Sequence, residues 1–276
     1  MSRGRAGLPV RIRGGALRTA ALATAALLSG CGGPGGGPAA TPTGGTGGGD
    51  AVTGQVTVLA AASLTDTFGA LAGTFTDQHP QAEAVFSFGG SSGLAQQAVS
   101  GAPADVFAAA SAATMATAVD GGAVDGEPVL FARNRLELVV PAGNPGGVRG
   151  LADLADPDLT VALCAPQVPC GAAAEKLLTA AGVTAAPDTL EQDVRAVLSK
   201  VSLGEVDAGL VYRTDVRSAG ERVEGIEVPE AGEAVTDYLV APLADAPNPD
   251  GARAFVDLVL SEQGRRVLSD AGFDGP

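Results

Sequence analysis

The sequence predicts a two-lobed α/β fold, and three observations support this prediction. Apolar strand-like runs alternate with helix-like segments from Val56 onward, as in sheets covered by helices. The alternation occurs in two series, separated by the strand-like run RLELVVPAG at 135–143. About 220 residues remain from Val56 to the end, which is enough for two lobes of about a hundred residues each. Hydrophobic residues make up 46% of the chain but aromatic residues only 4%, so the cores must be built mainly of Ala, Val and Leu.

The first series predicts a parallel sheet with helices on both faces. Strand VTVLAAAS leads into helix LTDTFGALAGTFTDQHP, in which Phe68, Leu71 and Phe75 recur at helical spacing. The following pairs of strand and helix are AEAVFSFGG with SSGLAQQAVSGA, and ADVFAAA with SAATMATAVDGG. A β-α-β-α-β series of this kind is typical of parallel sheets, since each crossover needs a helix.

The second series predicts another unit of the same type, after which the chain returns to the first. It comprises helix GLADLAD, strand LTVALCA, helix CGAAAEKLLTAAG, a short strand near TLEQ, helix DVRAVLSKVSLGE and strand AGLVYRTD. Strand VTDYLVAPL and a helical pair at 249–273 follow, with Phe255, Leu258 and Val259 predicted to face inward. We therefore expect lobe 1 to comprise 55–136 plus 239–276 and lobe 2 to comprise 137–238. The two lobes should enclose a cleft at the carboxyl ends of their strands.

The N-terminal residues are predicted to direct export. Five arginines precede the short apolar run ALATAALLSGC, so we expect 1–30 to be a signal peptide. Leu28-Ser29-Gly30-Cys31 resembles a bacterial lipobox, which predicts a lipid on Cys31; a plain secretory signal is the alternative. Residues 31–54 are Gly- and Pro-rich and should form a flexible tether, which places the folded part on the outer face of the cell membrane.

Composition excludes several classes of function. Loss of the five arginines in 1–30 changes the formal charge from −14 to −19, which argues against nucleic-acid binding. Two cysteines and the distant His79 do not make a zinc-ligand set, and no pair of nucleophile and base is visible. We therefore predict a protein that is not an enzyme, has no cofactor and is a monomer.

Cys164 and Cys170 lie six residues apart in LCAPQVPCG. Because an exported chain meets oxidising conditions, a local disulfide is favoured over two free thiols. Arg133 and Arg135 lie near the first crossing between lobes. They are expected to form surface or hinge ion pairs rather than to contact a ligand.

Four strand-to-helix junctions have a similar composition. Ser63 ends the first strand, Ser91 and Ser92 follow two glycines, and Cys170 and Asp193 open two of the helices of the second series. The first N–H groups of a helix have no partner inside it, so such a junction can bind an anion. An ordinary N-cap is the alternative at each one. Four such junctions, two from each lobe, favour a shared anion site.

The same segments resemble the periplasmic molybdate-binding lipoproteins of ABC transporters. The motifs are VTVLAAASLTDTF, GGSSGLAQQAVSGAPADVFAAA, VPCGAAAEKLL, EQDVRAVL and AGLVYRTD, and the likeness covers 55–276. It implies a bilobed type II periplasmic-binding-protein fold, with two parallel-sheet lobes joined by two crossing strands. It also implies capture of molybdate or tungstate in the cleft and delivery to an ABC permease. A receptor for another tetrahedral oxyanion, such as sulfate, is the alternative.

The resemblance also implies a set of ligand contacts. Hydroxyl groups are expected from Ser63, Ser91 and Tyr212, and backbone N–H groups from Cys170 and Val194. Ser92 is an additional candidate, and Tyr212 could instead be a core-edge residue. Where the family commonly has Ala, this chain has Cys170, which a backbone contact should tolerate. Molybdate carries no proton near neutral pH, so a pocket of donors suffices, whereas phosphate would also need an acceptor.

Overall fold

The computed structural model describes residues 51–276, and these form two five-stranded sheets flanked by helices. The signal peptide, Cys31 and most of the tether lie outside the described residues. The first sheet has the order β2-β1-β3-β10-β4, with strands β1 Thr53–Ala61, β2 Gln81–Gly89, β3 Val106–Ala109, β4 Val129–Asn134 and β10 Thr236–Pro242. The second has the order β7-β6-β8-β5-β9, with strands β5 Leu136–Pro141, β6 Val161–Cys164, β7 Thr189–Glu191, β8 Ala208–Tyr212 and β9 Val223–Ile226.

Eight α-helices within 51–276 cover these sheets. They are α1 Thr65–Gln78, α2 Ser91–Val99, α3 Ala112–Asp120, α4 Pro169–Ala181, α5 Val194–Ser202, α6 Arg213–Ala219, α7 Pro249–Leu260 and α8 Glu262–Ala271. The C-terminal pair returns to the first sheet, where α7 packs on β1 and β10 and α8 packs on α1. None of the helices described here has the length and hydropathy needed to cross a bilayer.

The two-lobed α/β fold is confirmed, but each sheet is mixed rather than wholly parallel. In the first sheet β1 runs parallel to β2 and β3, whereas β10 runs antiparallel to β3 and β4. The reason is topological: β4 carries the chain out of the first sheet and β10 brings it back, so the neighbouring strands point in opposite directions. In the second sheet β5 is likewise antiparallel to β8 and β9.

Three hydrophobic cores hold these layers together. One face of the first sheet packs an aromatic cluster around Phe68, Phe75 and Phe255, as the helical spacing predicts. The opposite face buries a smaller cluster that includes Phe107 and Met115. The core of the second sheet is aliphatic; its buried residues include Leu138, Val139, Val161, Leu177, Val197 and Leu210.

Ion pairs support the crossing between the sheets. Arg133 Nε lies 2.9 Å from Asp237 Oδ1, and Arg135 Nη2 lies 2.8 Å from Asp274 Oδ2. Asp274 also lies 3.0 Å from Arg213 of the second sheet's α6, and these arginines hold the pKa of its carboxyl below the usual range. Both arginines near the crossing are therefore engaged in ion pairs at the hinge.

Three elements differ from the sequence prediction. The acidic segment after Arg222, for which no strand was predicted, contributes the edge strand β9. Strand β4 was not predicted, because its apolar run is short and stands beside charged residues. Strand β8 ends at Tyr212 and α6 begins at once, where the sequence predicted a longer strand.

Candidate functional site

A small cavity lies between the two lobes, at the carboxyl ends of their parallel strands. Its volume is about 20 Å³, which leaves room for a very small ligand. Its wall brings together Ser63, Ser91, Cys170, Val194 and Tyr212, five of the residues predicted from the sequence. The other lining residues are Ala61, Ala62, Gly89, Gly90, Ala110, Val168, Pro169 and Asp193.

Ser63 enters this cavity from a tight turn between β1 and α1. Residues Ala62–Leu64 form a short 3-10 helix, and Ser63 is buried with 7% of its surface exposed. Its hydroxyl does not cap α1, which begins without any side-chain cap. Instead Ser63 Oγ lies 2.8 Å from the hydroxyl oxygen of Tyr238. The N-cap alternative for Ser63 is therefore wrong.

Ser91 and Ser92 have different roles in the structure. Ser91 is the first residue of α2, and its Oγ accepts a hydrogen bond from the Ala110 N–H at 3.0 Å. Its own hydrogen remains available to a ligand. Ser92 does not line the cavity; its hydroxyl donates to the carbonyl of Gln167 in the other lobe at 2.8 Å.

The second lobe contributes two helix starts. Helix α4 begins with Pro169, and its first backbone hydrogen bond runs from Ala172 N to Val168 O. The Cys170 N–H precedes that bond and so has no partner within the helix. In α5 the N-cap is Asp193, whose Oδ1 accepts a hydrogen bond from Ala196 N at 3.0 Å. The N–H of Val194, the first residue of this helix, does not take part in that cap bond.

Tyr212 closes the second lobe's side of the cavity. It is the last residue of β8 and only 1% of its surface is exposed. Within the described residues its hydroxyl has no hydrogen-bond partner. Burial raises the pKa of this phenol well above its usual value, so the group keeps its proton. A buried hydroxyl without a partner carries a free-energy cost that an acceptor ligand would remove.

The arrangement offers donors rather than formal charge. Among the residues that the structure describes, no lysine, arginine or histidine lines the cavity, and no group of His, Cys, Asp and Glu could hold a metal ion. Asp193 is the only acidic residue among those described in the lining, and its carboxylate already accepts the α5 cap bond. A ligand that only accepts hydrogen bonds fits such a wall best.

A disulfide joins Cys164 to Cys170 across the start of α4. Cys164 ends strand β6 and Cys170 lines the cavity, so the bond ties the cavity wall to the second sheet. The next residue, Gly171, packs so tightly on the carbonyl of Ala165 that a Cβ would overlap it.

Three contacts join the lobes around the cavity. The backbone at Gly90 lies against the carbonyl of Gln192, and Ser92 reaches Gln167. At the rim Arg195 Nη1 lies 3.0 Å from Asp66 Oδ2 on α1. The same guanidinium lies 3.5 Å from the buried carboxylate of Asp215. The lobes are therefore closed over the cavity.

Comparison with known proteins identifies the family. The family model described as bacterial extracellular solute-binding protein matches residues 56–274, nearly all of the described part. The chain belongs to this family. This solute-binding protein is 40% identical to the molybdate-binding protein ModA of Mycobacterium tuberculosis over 239 residues, which covers 87% of this chain and 90% of that relative.

Solved structures share the fold of this solute-binding protein. The periplasmic molybdate-binding protein of Azotobacter vinelandii superimposes with a TM-score of 0.69 at 23% identity, covering 80% of this chain and 99% of that one. The sulfate-binding protein SubI of Mycobacterium tuberculosis also gives 0.69, at 20% identity, covering 80% and 86%. At these identities the likeness concerns the fold alone.

Sequence analysis missed three residues around the site of the solute-binding protein. Tyr238, Gly90 and Arg195 act through long-range contacts, to Ser63, Gln192 and Asp66 respectively. The one available signal was that Gly90 belongs to the glycine pair of FGGSSG, because a residue without a side chain permits close backbone approach. Nothing in the local sequence distinguishes Tyr238 from a core residue of its strand.

Proposed function

We propose that this solute-binding protein captures molybdate or tungstate between its lobes and delivers the anion to an ABC permease. The observation that carries the proposal is a cavity wall that combines hydroxyl groups with the starts of α4 and α5, and whose single carboxylate, that of Asp193, already accepts a hydrogen bond from Ala196 N. Molybdate is a dianion without a proton near neutral pH, so it accepts hydrogen bonds at every oxygen. The 40% identity to a molybdate-binding relative supports the same ligand.

In this proposal five groups hold the anion. The hydroxyls of Ser63, Ser91 and Tyr212 donate from side chains, and Cys170 and Val194 donate through backbone N–H. A hydrogen bond to a charged group contributes about 1.5–3 kcal/mol, so five can support tight binding without a salt bridge. The helix starts add their dipoles at α4 and α5, which offsets the acidic character of the rest of the chain.

The direct test is titration calorimetry of the purified chain with molybdate, tungstate, sulfate and phosphate. We expect one-to-one binding of molybdate and tungstate, with sulfate and phosphate much weaker. Sulfate also carries no proton, so it is rejected only if the donors are spaced for the larger anion. Sulfate binding stronger than molybdate binding would contradict the proposed ligand and favour a sulfate receptor.

We also propose that the mature protein is a monomer tethered to the outer face of the membrane by lipid on Cys31. The lipobox-like segment and the Gly-rich stretch of 31–54 support this arrangement. Labelled palmitate should be incorporated into the wild-type protein and not into Cys31→Ala. Failure of the wild type to take up label would contradict the anchor and leave the ligand proposal unaffected.

A further inference from the structure

Tyr238 lies immediately behind the cavity and touches it through Ser63. It is the third residue of β10, is fully buried and does not line the cavity itself. Within residues 51–276 its hydroxyl makes one hydrogen bond, to Ser63 Oγ at 2.8 Å. Strand β10 is the strand by which the chain returns from the second lobe to the first. Tyr238 therefore connects this returning strand to Ser63 in the cavity wall.

The direction of this hydrogen bond follows from the burial of both groups. Each hydroxyl has one hydrogen, and a buried hydrogen without an acceptor is costly. If Ser63 donated to Tyr238, the Tyr238 hydrogen would need an acceptor other than Ser63, and the described residues give this hydroxyl no second hydrogen bond. If Tyr238 donates to Ser63, its own hydrogen is satisfied and the Ser63 hydrogen is left for the cavity. The second arrangement satisfies both groups once an acceptor ligand is bound.

Ser91 shows the same arrangement with a different donor. Its Oγ accepts from the Ala110 N–H, and a backbone amide can only donate. With Tyr238 as the donor, both cavity serines receive a hydrogen bond from behind, Ser91 from a backbone amide and Ser63 from a buried phenol. Each is left with a hydrogen to give to whatever occupies the cavity.

We propose that Tyr238 is a positioning residue: it donates to Ser63 Oγ and thereby sets Ser63 as a hydrogen-bond donor toward the bound oxyanion. This inference rests on the proposed function and deepens it by assigning part of the selectivity. An oxyanion that carries a proton must place an O–H against one of the cavity groups. With Tyr238 donating from behind, the Ser63 hydrogen points at the bound anion, so an O–H placed against Ser63 meets a hydrogen and the protonated anion is disfavoured there.

The test is a double-mutant cycle on the full chain, with Tyr238→Phe, Ser63→Ala and the combination. Tyr238→Phe keeps the ring and removes one hydroxyl, so Ser63 is free to rotate. We expect it to weaken molybdate binding about tenfold, as for the loss of one well-placed interaction. In the Ser63→Ala background the same change should have no further effect, because Tyr238 acts through Ser63. Equal losses in both backgrounds, or no loss in either, would overturn the proposal.

A second measurement separates positioning from general loosening of the core. Tyr238→Phe should raise the affinity for phosphate relative to molybdate, because Ser63 can then accept as well as donate. A variant that only loosens the protein would weaken both anions alike. Ser261→Ala is the matched control: it removes the cap of α8 without touching the cavity, so it should lower Tm and leave both affinities unchanged.

The ligand-free protein gives a readout that does not depend on the ligand proposed. Ser63→Ala leaves the buried Tyr238 hydroxyl without a hydrogen-bond partner. Tyr238→Phe instead leaves a Ser63 hydroxyl that still faces the cavity. Ser63→Ala should therefore lower Tm more than Tyr238→Phe does. If the wild type binds sulfate and not molybdate, the proposed function fails and the same cycle is run with sulfate. The reverse order of Tm values would overturn the inference whatever the anion.

Discussion

Gly90 in the first lobe packs directly on the backbone carbonyl of Gln192 in the second. A Cβ at Gly90 would overlap that oxygen. The backbone of Gly90 has φ −63° and ψ 122°, which any residue adopts, so conformation does not require glycine here. Because Gly90 has no side chain, the backbones of the two lobes can come into direct contact here. Closure over the cavity therefore requires a residue without a side chain at this position of the first lobe.

Gly90→Ala should hold the lobes apart by about the width of a methyl group. We expect molybdate affinity to fall at least tenfold while Tm of the ligand-free protein changes little, because an open form has no overlap to relieve. Calorimetry and thermal unfolding measure the two quantities.

Gly93→Ala is the matched control, since a Cβ there meets nothing within 4 Å and the site lies inside α2. It should keep full affinity and stabilise the helix by up to about 1 kcal/mol. Unchanged affinity in Gly90→Ala would contradict the role assigned to this contact.

Tyr212→Phe should separate binding from stability. The hydroxyl is buried without a partner in the described residues, so its removal should leave the ligand-free protein as stable as the wild type or slightly more stable. Molybdate affinity should fall about 10- to 100-fold, as expected for one hydrogen bond to a charged ligand. Chemical denaturation and calorimetry report the two effects. A clear loss of stability without loss of affinity would make Tyr212 a core residue, the alternative left open by its sequence.

The fold and most of the cavity could be predicted because their signals are local. Strand-to-helix junctions at Ser63, Ser91, Cys170 and Val194 each follow a segment that was predicted to be a strand, and the family resemblance covers all of them. The structure brings these junctions into one cavity. Whether they bind the anion as proposed remains a prediction that the binding experiments test.

The remainder of the site could not be predicted because it consists of contacts between distant segments. Ser63 and Tyr238 are 175 residues apart, and the pairing depends on how β10 re-enters the first sheet. Ser91 and Ser92 have the same local sequence environment, and their roles are separated by the positions of Ala110, which donates to Ser91, and of Gln167 in the other lobe, which accepts from Ser92. The mixture of parallel and antiparallel strands in each sheet has the same origin. The periodicity of apolar residues does not encode the direction in which β4, β5 and β10 run between the lobes.

The disulfide between Cys164 and Cys170 should stabilise the fold without being required for binding. It closes a short loop with a sequence separation of 6, for which chain entropy gives about 2 kcal/mol. Cys164→Ala with Cys170→Ala should lower the free energy of unfolding by about that amount. Molybdate affinity should stay within a few-fold, since Cys170 is proposed to donate through its backbone. Denaturation in urea and calorimetry on the same samples check both. Loss of binding beyond about tenfold would show that the bond shapes the cavity wall.

Asp215 should make stability depend on pH in a direction opposite to that of most carboxylates. Burial is the main cause that raises its pKa to about 7, and the nearby carboxylate of Asp66 raises it slightly further. The guanidinium of Arg195 and the hydrogen bond from Tyr212 N act in the opposite direction and lower the pKa. Below pH 7 the folded protein holds this proton, while the unfolded chain releases it above about pH 4. The contribution of Asp215 to stability is therefore largest near pH 4 and decreases as pH rises through 7.

The test compares wild type with Asp215→Asn in urea unfolding at pH 5 and pH 8. Asn keeps an acceptor for the Tyr212 N–H but cannot ionise, so it removes this one titration and leaves the other carboxylates in place. The wild type should gain stability relative to the variant on going from pH 8 to pH 5. Asp274→Asn is the opposing control: its carboxyl has a lowered pKa, so the wild type should lose stability relative to that variant as pH falls toward 4 and below. Parallel pH profiles of wild type and Asp215→Asn would mean that the carboxylate of Asp215 stays ionised, fully compensated by Arg195.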